Sequence, residues 1–141
     1  MKNLNFSRIL LGGVLGGIAM FIVGMIIHGV ILHDNYMYLS QKGIIVNEEN
    51  AAEWKMILHH VYLIFSGIVL AVLYALLRNS TGKGIKTAVI GGLLVGLVCG
   101  AGAIAMLAFY NMGNKVPFFT FVDSILEPIV GSIVAGWLYK D

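Results

Sequence analysis

The side chains able to do chemistry in this 141-residue chain are few, and they lie in or beside its most apolar stretches: His28, His33, His59, His60, Asp34, Asp123 and Glu127. Asp123 and Glu127 are four residues apart, the spacing that puts two side chains on the same helix face. Pro128 follows at once. A proline inside a helix leaves the carbonyl four residues earlier without its donor, so Ser124 is expected to offer a further acceptor beside the carboxylates. Imidazoles with carboxylates are the ligand mixture that suits zinc, iron, copper or nickel, and inward-facing Glu and His sets are how helical bundles hold metals. Two inward histidines would also suit haem. The spacing is incomplete for either. His28 and His33, five apart, diverge by about 140° on a regular helix, and adjacent His59 and His60 do not both face one point. The plainer alternatives are that His33, Asp34 and His60 are interfacial polar residues, that His28 and His59 make helix-to-helix hydrogen bonds, and that the acids are protonated carboxyls bonded to a neighbouring helix.

The elements that must position these groups follow from composition. Hydrophobic residues make up 59% of the chain and charged ones 11%, with a mean hydropathy of +0.90. Soluble domains carry about 25% charged residues. Spanning about 30 Å of hydrocarbon takes about 20 apolar residues in a helix. Four such runs are read at 9–32, 56–77, 87–110 and 117–138, within one domain covering 1–141. The fold class is therefore all-α, a polytopic membrane four-helix bundle. The runs are too long and continuous for a transmembrane barrel. The first is also too long for a cleaved signal core, whose apolar part has about 7 to 15 residues.

Lys and Arg are retained on the cytoplasmic side. With both termini inside, Lys2, Arg8, Arg78, Lys83, Lys86 and Lys140 are cytoplasmic, and Lys42, Lys55 and Lys115 are external. N-in/C-in topology then places the histidines and both intramembrane acids in the external half, with Asp123 roughly 9 Å and Glu127 roughly 15 Å below the outer boundary at the helical rise. In the external stretch, Asn47 is read as the N-cap of an interfacial extension of the second span.

Helices in lipid associate by close packing of small residues. Gly12, Gly13, Gly16 and Gly17 form two overlapping G-x-x-x-G pairs, Gly92, Gly96 and Gly100 a stripe four apart, and Ser132 with Gly136 a further pair. These are read as packing seams and as faces for a homo-oligomer. A phosphate-binding loop would need a preceding strand. The likeness of Gly12-Gly13-Val14-Leu15-Gly16 to Gly91-Gly92-Leu93-Leu94-Val95-Gly96 is that of a duplicated hairpin in parallel orientation.

The segment Gly24-Met25-Ile26-Ile27-His28-Gly29 leading into His33-Asp34-Asn35-Tyr36, with the Gly91 to Gly102 span followed by Asp123 and Gly131, resembles small four-span bacterial integral membrane proteins of uncharacterised function. The resemblance brings no catalytic or binding assignment. The expected location is the cytoplasmic (inner) membrane, with the lipid bilayer as partner. A net charge of +2 is too small and scattered for a nucleic-acid partner.

Three function classes remain at this point. The first, preferred on sequence alone, is a binding protein holding a transition-metal ion or haem on His28, His59 or His60, Asp123 and Glu127, with His33 and Asp34 nearby. The second is a small proton- or cation-coupled carrier in which Glu127, with Asp123, binds a proton or a cationic substrate. The third is a structural or accessory subunit. An enzyme is disfavoured, because no serine or cysteine nucleophile stands next to a base and Cys99 is expected to be buried in the third span. The topology is tested by thiol labelling of whole cells. A cysteine placed at Asn50 is expected to react with a membrane-impermeant reagent and one at Gly82 is not; the opposite labelling reverses the orientation.

Overall fold

The computed structural model describes residues 4–46 and 52–139, and the Asn47 cap lies outside them. The described residues are helical and contain no strand. α1 runs over Phe6–Ile26 and continues as a wide π-helical turn over Ile27–Ile31. α2 covers His33–Gln41, α3 Glu53–Thr81, α4 Ile85–Phe109 and α5 Lys115–Leu138. Four helices, Phe6–Ile31 with its π turn, α3, α4 and α5, are long and apolar enough to cross a membrane. Their outward faces carry large apolar side chains such as Ile22, Phe65, Val98 and Leu107. Apolar faces of this kind suit lipid.

Two features differ from the sequence reading. The first run is not one regular helix, because the Leu32 amide bonds to the Ile27 carbonyl five residues back at 2.9 Å. The short helix observed at this end of the bundle is α2, directly after the first span, whereas α3 begins only at Glu53 behind Ala52. Leu39 of α2 is buried with Leu32, Ile27 and Val116, which docks this short helix across the end of the bundle.

α5 is the central element. It packs against α1, α3 and α4, whereas α4 rests chiefly on α5. The four helices are therefore not equivalent. Several glycines face the backbone or a ring of a neighbouring helix. A side chain added at Gly12 or Gly16 would meet backbone of α5 at Ala135 or Gly131, and one at Gly13 or Gly17 would meet α3 at Ile68 or Ile64. On the facing helix, Gly67 lies against the backbone of Gly13 and Gly17. In α4, Gly92 faces the Pro128–Ile129 backbone and Gly96 the Ser124 and Ile125 backbone, while Gly100 meets the Phe121 ring. Gly136 meets the ring of Tyr74. Cys99 is exposed on α4 and does not face the bundle, contrary to the burial expected of it.

The opposite end is closed by polar contacts. The Tyr139 hydroxyl accepts from the Asn5 amide at 3.1 Å, and Arg78 donates to the Tyr139 carbonyl at 3.2 Å with its guanidinium over that ring. The α3–α4 connection turns through Gly82 and Gly84, both at positive φ, and the Gly84 amide donates to the Tyr74 hydroxyl at 3.1 Å. A side chain is strained in that backbone region.

Where backbone meets backbone, added bulk cannot be absorbed by a rotamer change. Gly67→Leu and Gly96→Leu are each expected to cost about 1 to 3 kcal/mol, the usual price of overpacking. Gly102, with open space around it, is the control. Thermal melts in detergent should fall for the first two and stay level for Gly102→Leu; level melts throughout would show that the helices do not close on these glycines.

Candidate functional site

At the α2 end of the bundle, beyond the close contact of α1 with α3 at Gly17 and Ile64, the helices open beside α5. The result is a cleft of about 450 Å³. Phe21, Gly24, Met25 and His28 wall it from the first span, His59 and Leu63 from α3, and Asp123 and Glu127 from α5, with Tyr36 of α2 at its edge. Two carboxyl and two imidazole groups thus share one cavity in the region of the apolar helices.

The polar groups are joined in a chain. His28 Nε2 lies 2.9 Å from Asp123 Oδ2, and His28 Nδ1 lies 2.7 Å from the Tyr36 hydroxyl. With the ring proton on Nε2, His28 donates to the carboxylate and accepts from the phenol; in the imidazolium both nitrogens donate. Burial raises the pKa of the Tyr36 phenol above its ordinary value and the Asp123 charge adds to the rise, so this hydroxyl keeps its proton. Asp123 is 6% exposed, and its second oxygen, Oδ1, is buried with no partner in the protein. Buried acceptors are ordinarily satisfied, which sets this oxygen apart.

Local structure explains the placement. The π turn widens the helix around His28, and wide turns of this type recur at functional sites. It is held at its far end by Lys115 of α5, whose Nζ reaches the Ile31 carbonyl at 3.4 Å. Glu127 is half-buried, and its Oε1 lies where a side chain on Gly24 would begin. The missing Cβ at Gly24 is what gives this carboxylate its room.

The structure separates the sequence candidates into groups. His28, His59, Asp123 and Glu127 share the cleft. His60 does not line it: its Nδ1 bonds to the Met56 carbonyl of its own helix at 2.6 Å and its ring lies 5.0 Å from that of Phe21. His33 lines a different, outer cavity, which His28 also borders, so the π turn and the new helix direction bring to one hollow two histidines that a regular helix would set apart. Asp34 is exposed on α2. The Ser124 carbonyl freed by Pro128 approaches Gly96 of α4, so it serves helix packing instead of lying in the cleft. Tyr36, Phe21 and Gly24 were not among the candidates. Only glycine at position 24, one turn before His28, was a visible signal.

Among the described residues no three His, Cys, Asp or Glu side chains are grouped to hold a metal ion. The donors also fit haem poorly. Both ring nitrogens of His28 are engaged and His60 is turned to its own backbone, which leaves His59 as the one cleft imidazole without a hydrogen bond described. No protein-family model, no curated protein and no solved structure matches this chain.

The chain of hydrogen bonds predicts a graded response. His28→Ala leaves both oxygens of a buried carboxyl without a protein partner and is expected to cost about 1 to 3 kcal/mol. Tyr36→Phe removes one bond at the edge and should cost about 0.5 to 1.5 kcal/mol. Melting temperatures in detergent should fall in that order, with His28→Gln recovering part of the loss; equal stability of His28→Ala and the parent would show that Asp123 is satisfied elsewhere.

Proposed function

We propose that this protein is a small multi-pass membrane carrier that binds a small organic cation in the α2-end cleft and couples its occupancy to a proton on Glu127 and Asp123. The observation that carries the reading is the meeting of both carboxyls, on one face of α5, with His28 and His59 in a single cavity within the span region. A charged group in hydrocarbon is costly and is retained where it binds an ion or moves a proton. The unpartnered Asp123 Oδ1 supplies an acceptor for an ammonium donor. The rings of Phe21 and Tyr36 border the same space, and aromatic faces attract ammonium groups. With two carboxyls available, a cation can displace a proton without leaving net charge buried. The proposal includes the N-in/C-in orientation, which sets the cleft towards the outside, the glycine seams as the means of assembly, and pairing with a second copy.

The charge state of Glu127 separates this reading from its rivals. In proteoliposomes under an imposed proton gradient, uptake of labelled guanidinium, an organic cation with N–H donors, is expected from the parent protein and is abolished by Glu127→Gln, with the melting temperature unchanged. Metal that co-purifies stoichiometrically and falls, together with stability, in the same variant would replace the carrier with the metal-binding reading, since a ligand held only by the folded state stabilises it. Unchanged uptake in Glu127→Gln, or none in the parent, would overturn the carrier reading. Gly24→Ala is a second probe, because the new methyl displaces only the flexible end of Glu127. It is expected to weaken uptake while leaving the fold intact.

A further inference from the structure

The cleft that holds the two carboxyls is open. Two of its lining side chains, Met25 on the first span and His59 on α3, are exposed, Met25 by 55%, so the cavity has a mouth between these helices. The surface around that mouth is apolar. Ile22, one turn before Met25, and Tyr62, one turn beyond His59, are each more than half exposed, as are the adjacent Ile26 and Leu58. On helices that span a bilayer, apolar flanks of this kind meet acyl chains. Inward, Leu63 and Asp123 are buried, and beyond Leu63 the two helices close on each other at Gly17 and Ile64.

We propose that the ligand of this cleft is an amphiphilic cation, a single-chain alkylammonium, that enters sideways from the bilayer between α1 and α3, its head reaching Asp123 and Glu127 and its chain lying in the mouth beside Met25. The inference rests on the carrier reading for the cationic head, and on the exposed mouth for the chain and the route. A hydrophilic cation would have to cross acyl chains to reach such an opening, at the cost that any bare charge meets in hydrocarbon. An amphiphilic cation is already held in the membrane, with its head at the interface and its chain in the core. The cleft matches that posture. His28 and His59 stand at its α2 end, whereas Phe21 and Leu63 lie nearer the middle of their helices, Phe21 seven residues or about 10 Å from His28 along the axis. The unpartnered Asp123 Oδ1 is an acceptor for the head. Met25, unbranched and flexible, is a side chain that adapts its shape to an alkyl chain.

The route is tested with two carbodiimides, which convert a carboxylic acid into a stable N-acylurea that mass spectrometry locates. Dicyclohexylcarbodiimide dissolves in lipid, and its ethyl dimethylaminopropyl analogue stays in water. With the full chain in phosphatidylcholine nanodiscs at mildly acidic pH, the α5 peptide carrying Asp123 and Glu127 is expected to react at least tenfold faster with the lipid-soluble reagent. Asp34 and Glu53, exposed at the α2 end, are the internal controls and should show the opposite preference. Decylammonium should slow the α5 reaction at least tenfold, whereas butylammonium, a head without the chain, and decanol, a chain without the head, should leave it nearly unchanged. Met25→Trp, which adds bulk at the exposed mouth, should slow the lipid-soluble reagent. Equal or faster reaction from water, no reaction with either reagent, no protection by decylammonium, equal protection by decanol or butylammonium, or an unchanged rate in Met25→Trp would each overturn the proposal. The assay needs no transport, which keeps the two ideas apart. Lipid-side reaction with decylammonium protection leaves the amphiphile site standing even where guanidinium uptake fails, and guanidinium uptake with reaction from water leaves the carrier standing without it.

Discussion

A carboxyl group set among apolar helices must find its hydrogen-bond partners inside the protein, because hydrocarbon supplies none. Asp123 meets that demand at one oxygen, through a single imidazole 2.9 Å away, and much of the α2 end is arranged around the contact. His28 reaches it from a helix turn wound wider than its neighbours. The same ring then fixes Tyr36, which places α2, and Leu39 of α2 covers the apolar cluster of Ile27, Leu32 and Val116. Local backbone distortion, docking of a short helix and burial of a carboxyl are one connected event.

The position of α5 follows from the same demand together with the chemistry of lipid. Because tails are as apolar as leucine, helices gain by coming close rather than by hiding greasy surface, and closeness needs small residues. α5 carries the acids and the proline, and α1 and α4 turn glycines to it. Its carbonyl at Ser124, released by Pro128, is accommodated against Gly96, where a Cα hydrogen is the nearest donor that a helix can present. The α5 face with Asp123 and Glu127 is then left for the cleft between α1 and α3. One helix thus divides its sides between adhesion and chemistry.

Much of this was legible in the sequence. Four apolar runs announce four long helices, since nothing else covers the backbone polar groups over such lengths. The i, i+4 spacing of Asp123 and Glu127 announces that they share a face, and both line the cleft. What could not be read was whatever depends on departure from a regular helix. Angles counted at 3.6 residues per turn separate His28 from His33, and the π turn removes the premise of that count. Tyr36, eight residues beyond His28, has no helical relation to it and meets it only because the chain turns at Leu32. His59 and His60 could not be told apart as cleft-lining and self-bonded without knowing how α3 is rotated about its axis. Asn47 was weighed as a cap, yet the helix that matters at that end starts at His33 and lacks any side-chain cap.

The π turn carries a message about chain length. A wide turn closes five residues later instead of four, so it holds one amino acid more than the α-helical ladder on either side requires. Shortening the Ile27–Ile31 segment by one residue would let the ladder close normally and yield a straighter helix, while everything beyond Leu32 kept its place. α1 and the segment beyond Leu32 would then be turned against each other by about 100° about the helix axis, and His28 would lose its alignment with Tyr36.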